Sequence, residues 1–134
     1  MQTNPNCFHH LITKLFLDNF TKIYRKILPI YWAFLTYMLL KPGTENKEYS
    51  FMFPGIDKLI HLLTFFLLGV FFRISFPKIS LLFYFVILVF YALLTEFLQH
   101  IMALGREAEL LDLVADCLGI TIAIFIVKFL KLNL

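Results

Sequence analysis

The chain has 134 residues, of which 60% are hydrophobic and only 16% are charged, and its formal net charge is +3. A soluble domain is about 25% charged and about half apolar. This composition therefore argues against a water-soluble protein and favours an integral membrane protein. The basic residues flank apolar runs and form no basic stripe, which argues against nucleic acid as a partner.

The N-terminal segment, residues 1–22, is predicted to form a short amphipathic helix. Its apolar side chains recur at helical spacing, and they are Phe8, Leu11, Ile12, Leu15, Phe16 and Phe20. This pattern is typical of a helix that lies in the membrane interface, and the alternative is a frayed tail with a few apolar residues. The segment lacks the order of charged and apolar residues that marks a signal peptide.

Four apolar runs follow, and each is near the length of about 20 residues that a helix needs to cross the hydrocarbon core. They comprise residues 23–40, 56–72, 79–103 and 110–130. The first two runs are less apolar than the last two. Arg25 and Lys26 lie in the opening turn of the first run, where their side chains can extend to the lipid headgroups.

These runs predict an all-α membrane protein with four transmembrane helices in an antiparallel bundle over residues 23–134, preceded by the short amphipathic interfacial helix 1–22. An excess of Lys and Arg in cytoplasmic loops sets the orientation of such a bundle. With the N-terminus inside, eight of the 12 basic residues lie on the cytoplasmic side, and eight of the nine acidic residues lie on the outer side. Both termini are therefore predicted to be cytoplasmic.

Polar residues gather toward the predicted outer ends of the last three spans. Asp57 and His61 are four residues apart and therefore share one face of the second span. The third and fourth spans each carry a stripe of small and polar residues, which permits close approach of the two helices. The stripes are Ala92, Glu96, Gln99 and Ala103 on the third span, and Asp112, Asp116, Gly119 and Ala123 on the fourth.

Carboxylates inside a membrane are costly, at about 2.5 to 3.5 kcal/mol each near the bilayer centre. We therefore expect the acidic side chains to turn inward, where His61, Gln99 and Thr95 would donate hydrogen bonds to them. Arg106, the only guanidinium on the predicted outer side, or a bound cation would neutralise part of their charge. The predicted functional cluster is Asp57, His61, Glu96, Gln99, Arg106, Asp112 and Asp116.

Structural interpretations of the same residues stay open. Asp57 and Asp112 lie near predicted helix starts, where an acidic residue can act as an N-terminal cap. Glu96 and Gln99 can form an interhelical hydrogen bond, and Arg106 can contact a lipid headgroup.

Four motifs follow one another between residues 53 and 126. They are Asp57-Lys58-x-x-His61, Glu96-x-x-Gln99, Gly105-Arg106 and Asp112-x-x-x-Asp116-x-x-Gly119. In this order they resemble the VanZ-like membrane proteins. The resemblance implies a small multi-pass protein of the bacterial inner membrane, in a family whose founding member is associated with resistance to the glycopeptide teicoplanin. This chain has Asp116 where that family more often has Asn, which leaves the charge of the site open.

Three classes of function fit these observations. The preferred one is a protein that binds or modulates a cell-envelope component, a lipid headgroup or a cell-wall precursor, with a link to teicoplanin resistance. The second is a membrane enzyme that hydrolyses or transfers a lipid-linked phosphate or sugar, with Glu96 or His61 as general base and Arg106 on the phosphate. The third is a helix-packing subunit of a membrane complex.

The sequence has few motifs that are typical of enzymes, and it leaves enzymatic activity undecided. It contains no recognisable nucleophile, nucleotide-binding or zinc-peptidase motif, so no catalytic residue and no metal ligand is assigned. A divalent cation stays open as a cofactor, and one His among four acids suits a hard, oxygen-preferring ion better than zinc. The expected partners are the lipid bilayer and a lipid-linked cell-wall precursor or glycopeptide, and a homo-oligomer stays open.

Overall fold

The computed structural model describes residues 5–41, 55–102 and 110–129, with side chains described from residue 18 onward. These residues form four helices and no strand. The helices are α1 (Pro5–Leu40), α2 (Ile56–Ser75), α3 (Leu81–Met102) and α4 (Leu110–Phe129). α2, α3 and α4 are each long and apolar enough to cross a membrane, which confirms, by length and composition, three of the four predicted spans.

α1 differs from the prediction. It is one helix of 36 residues, so the segment 1–22 and the run 23–40 are not separate helices. The reason is local, because no Gly or Pro lies between Pro5 and Pro29 to end the helix. α1 is not among the three helices that are apolar enough to span a membrane, since it carries Arg25 and Lys26 beside its apolar residues.

The closest helix pair is α2 and α4, whereas the two stripes had suggested α3 and α4. A Cβ atom at Gly119 would collide with the carbonyl oxygen of Leu62 and lie 2.8 Å from the backbone nitrogen of Phe66. A Cβ atom at Gly69 would lie 2.8 Å from the Cβ of Ala123. The two glycines therefore bring the backbones of α2 and α4 into contact.

α1 packs against α2 and α3 through aromatic side chains. The ring of Trp32 lies edge-on to the rings of Tyr91 and Phe72, with centroid distances of 5.2 and 5.9 Å. The hydroxyl of Tyr31 donates a hydrogen bond of 2.9 Å to the carbonyl oxygen of Thr64. These contacts hold the C-terminal half of α1 on the bundle.

The surface of the helices is apolar. Large side chains such as Leu82, Phe90, Phe125 and Phe129 are exposed on α3 and α4. In water such a surface would drive aggregation, whereas in a bilayer it faces lipid tails. The molecule is therefore built as a membrane-embedded protein.

The two ends of the bundle differ in charge. One end, called the acidic end, contains the first turns of α2 and α4 and the last turns of α1 and α3. Its described charged residues are Lys41, Asp57, Lys58, Glu96, Asp112 and Asp116. Toward the opposite end, called the basic end, the described cations are Lys22, Arg25, Lys26, Arg73, Lys78 and Lys128.

Candidate functional site

Three of the seven predicted site residues meet near the acidic end, one from each of α2, α3 and α4. The Nδ1 atom of His61 lies 3.0 Å from Oδ1 of Asp116 and 3.7 Å from Oε1 of Glu96. All three residues are buried, with 5% exposure for His61, 7% for Glu96 and none for Asp116. We call these three residues the His61 cluster.

The depth of the His61 cluster follows from helix geometry. His61, Glu96 and Asp116 lie five or six residues from the nearest ends of their helices. At a rise of about 1.5 Å per residue, the cluster lies roughly 8 to 9 Å from those ends. Gly119, about one turn beyond Asp116, lets α4 approach α2 closely enough for the His61 hydrogen bond.

A second group of charges lies one turn nearer the helix ends. The Nζ atom of Lys58 is 2.9 Å from Oδ2 of Asp57 and 3.6 Å from Oδ1 of Asp112. The side chain of Asp112 is 10% exposed, whereas that of Asp57 is 52% exposed. Asp112 therefore lies above the His61 cluster on the α2–α4 contact, while Asp57 lies at the surface beside Lys58.

The shared helical face predicted for Asp57 and His61 does not bring Asp57 into the cluster. Asp57 lies one turn nearer the start of α2 than His61, where its side chain is 52% exposed beside Lys58. Lys58 was part of a motif but was not among the predicted site residues. It is three residues before His61, and this i, i+3 spacing was the signal that could have identified it.

The hydrogen bonds of Gln99 and Thr95 also differ from the prediction. The side-chain amide of Gln99 donates a bond of 2.8 Å to the carbonyl oxygen of Leu39, which ties α3 to α1. The hydroxyl of Thr95 lies 2.8 Å from the carbonyl oxygen of Ala92 in its own helix. Expecting these two side chains to donate to the carboxylates was wrong, and Gln99 instead has the interhelical role considered as its structural interpretation.

Arg106, the predicted partner of the carboxylates, lies outside the described residues, as does the rest of the segment 103–109.

The electrostatics of the His61 cluster are dominated by its acids. Two carboxylates share one imidazole, and the second oxygen of Asp116, Oδ2, is buried with no hydrogen-bond partner among the described residues. Leaving a buried polar atom without a partner costs about 1 to 3 kcal/mol, and more for a charged group. The cluster is suited to exchange a proton between imidazole and carboxylate, to accept hydrogen bonds from a ligand, or to hold a cation.

Comparison with known proteins extends the resemblance along the chain. A family model described as VanZ/LLP1 matches residues 6–131, so the match includes α1 as well as the four motifs. No curated protein and no solved structure shows significant similarity to the chain.

Proposed function

The chain belongs to the VanZ/LLP1 family, and from this premise we propose that it binds a cell-envelope component at the acidic end of a four-span helical bundle in the bacterial inner membrane. The part of α1 from residue 23 to residue 40 is the fourth span of this proposal. Its packing on α2 and α3 through Trp32 and Tyr31 supports that role. In this proposal, residues 23–134 form the membrane domain, and the part of α1 before residue 23 continues beyond the basic end.

The difference in charge between the two ends predicts how the bundle is oriented in the membrane. Cytoplasmic flanks of membrane helices carry an excess of Lys and Arg. The basic end has six described cations, whereas the acidic end has Lys41 and Lys58 together with four carboxylates. We therefore assign the basic end and both termini to the cytoplasm, and the acidic end to the outer side.

The observation that carries the proposal is the burial of the His61 cluster. Ionisable residues inside a membrane protein are expensive and are retained where they serve a function. Carboxylates at this depth can accept hydrogen bonds from the N–H groups of a lipid headgroup or of a cell-wall precursor. Binding a precursor at the outer side would also alter the access of glycopeptides such as teicoplanin to their target, as the family resemblance implies.

The test uses purified full-length protein in lipid nanodiscs and a lipid-linked cell-wall precursor as the probe. We expect saturable binding to the natural chain, and at least about tenfold weaker binding to Asp116→Asn and Glu96→Gln, because each loses a charged hydrogen-bond acceptor. The matched control is Asp57→Asn, which changes an exposed carboxylate at the same end. Equal binding by all four proteins would contradict the proposal, and so would a failure of the natural chain to bind.

A second function is favoured by one specific contact. The hydrogen bond of 3.0 Å between His61 and Asp116 is the geometry with which a carboxylate orients an imidazole to act as a general base. In that case His61 would take a proton from water or from an acceptor group during hydrolysis or transfer on a lipid-linked phosphate. Product formation in the nanodisc assay identifies an enzyme, whereas retention of unchanged precursor identifies a binding protein.

A further inference from the structure

We propose that His61, Glu96 and Asp116 form a binding site for a divalent metal ion of the class that accepts mixed imidazole and carboxylate ligands, Mn²⁺ or Zn²⁺. The inference goes beyond the proposed function, because it depends only on the three side chains and not on any envelope ligand. One nitrogen and two carboxylate oxygens are its donors.

The ligand atoms of the three side chains lie close enough together to bind one ion. One ligand atom from each residue lies within 4.8 Å of the other two. Ligand atoms bound at about 2.0 to 2.2 Å to one ion, at right angles or at the tetrahedral angle, lie about 2.8 to 3.6 Å apart. The separations from His61 Nδ1, 3.0 Å to Asp116 and 3.7 Å to Glu96, are close to that range. The last torsion of Glu96 is soft, so its carboxylate can turn toward the other two ligand atoms.

Independently of these distances, one carboxylate oxygen of Asp116 lacks a hydrogen-bond partner among the described residues. Asp116 is fully buried, and only one of its two carboxylate oxygens has a hydrogen-bond partner among the described residues. A carboxylate at that depth needs positive charge nearby. An ion between α2, α3 and α4 would supply it.

The combined charge of the three ligands favours a divalent ion over a monovalent one. Two carboxylates and a neutral imidazole carry a charge of −2, which a divalent ion balances. When His61 is protonated, its Nδ1 donates to ionised Asp116. The ion takes the place of that hydrogen, which leaves to solvent as a proton, and the neutral imidazole that remains keeps its hydrogen on Nε2.

The donor set also narrows the identity of the ion. The sequence suggested a hard cation because four acids were counted with one His. Only two of those acids contact His61, and a set of one imidazole and two carboxylates is less suited to Mg²⁺ or Ca²⁺, which prefer oxygen ligands alone. Three protein ligands also leave a coordination position open for water or another ligand.

The test uses the full-length chain in detergent, stripped with a chelator and then dialysed against Zn²⁺ or Mn²⁺ in separate samples. Elemental mass spectrometry measures the metal that stays with the protein. We expect a single ion per chain, and at least about tenfold weaker retention in Asp116→Asn and Glu96→Gln, the loss that even an outer-shell change causes. Asp57→Asn is the matched control and retains the ion.

A spectroscopic measurement keeps the test decisive if a variant fails to fold. Mn²⁺ bound to the natural chain is expected to show nitrogen hyperfine coupling from one imidazole in pulsed electron paramagnetic resonance, and His61→Gln is expected to lose it. The proposal is overturned if the natural chain retains neither ion, if retention is equal in all variants, or if bound Mn²⁺ shows no nitrogen coupling. These measurements contain no envelope component, so their outcome does not decide whether the chain binds one. The nanodisc assay decides that separately.

Discussion

The acidic and basic ends of the bundle place their charges in different ways. At the basic end the guanidinium groups lie at the rim, where Arg25 donates to the carbonyl oxygen of Ser75 at 2.8 Å and Arg73 to that of Ile79 at 2.7 Å. At the acidic end the charges of Glu96 and Asp116 lie inside the helix contacts.

These cations donate to part-buried carbonyl oxygens at the end of α2 and in the α2–α3 connection, and they stay near the headgroups, so they need no buried counter-charge. Buried carboxylates do need one. The net positive charge of the chain therefore says little about its candidate site, because the buried charges there are of the opposite sign.

The same contrast holds for what joins the helices. Toward the basic end α2, α3 and α4 meet through apolar and aromatic side chains, among them the fully buried Tyr84, Leu68, Leu88 and Ile120. Toward the acidic end they meet through the His61 cluster. We expect the apolar half to carry stability and the polar half to carry binding.

Gly119→Leu is expected to have the largest effect, because it separates α4 from α2 and so breaks both halves. Any Cβ there meets the backbone of Leu62, and overpacking of this kind costs about 3 kcal/mol or more. Thermal unfolding in detergent measures the loss. Helix propensity alone would stabilise such a change by up to about 1 kcal/mol, so a rise in stability would contradict the close contact. Leu118→Ala, on the exposed face beside it, is the control.

Tyr84→Phe, a change in the apolar half, is expected to lower the stability of the protein without weakening its binding. The hydroxyl of Tyr84 donates a bond of 3.1 Å to the carbonyl oxygen of Ile120, which joins α3 to α4. Its removal is expected to lower the free energy of unfolding by about 1 kcal/mol. Metal retention and precursor binding should not change. A loss of either in a folded variant would mean that the two halves are coupled.

Asp57→Asn is expected to have the smallest effect. The Lys58–Asp57 pair is at the surface, and exposed ion pairs contribute about 0 to 1 kcal/mol. We expect unfolding, metal retention and precursor binding to stay close to those of the natural chain. A clear loss of binding would show that the site extends outward to Asp57, as the sequence had predicted.

Local periodicity was enough to predict that three of the seven candidate residues lie together. His61, Glu96 and Asp116 come together because each lies at a similar depth on an inward face, and both depth and face follow from spacing along one helix. Gln99 shares the stripe of Glu96 yet bonds to Leu39 on α1. The spacing of residues along one helix predicts which of them share a face. It does not predict which neighbouring helix packs against that face.

The amino-acid sequence by itself determined that this is a helical membrane protein, which segments form α2, α3 and α4, and which positions carry the internal charges, because these properties follow from hydropathy and the helical repeat. Only the tertiary structure decided that α4 lies against α2 and which acids share His61. Those outcomes depend on how closely two backbones can approach, and that is set jointly by side chains from both helices, such as Gly119 against the backbone of Leu62.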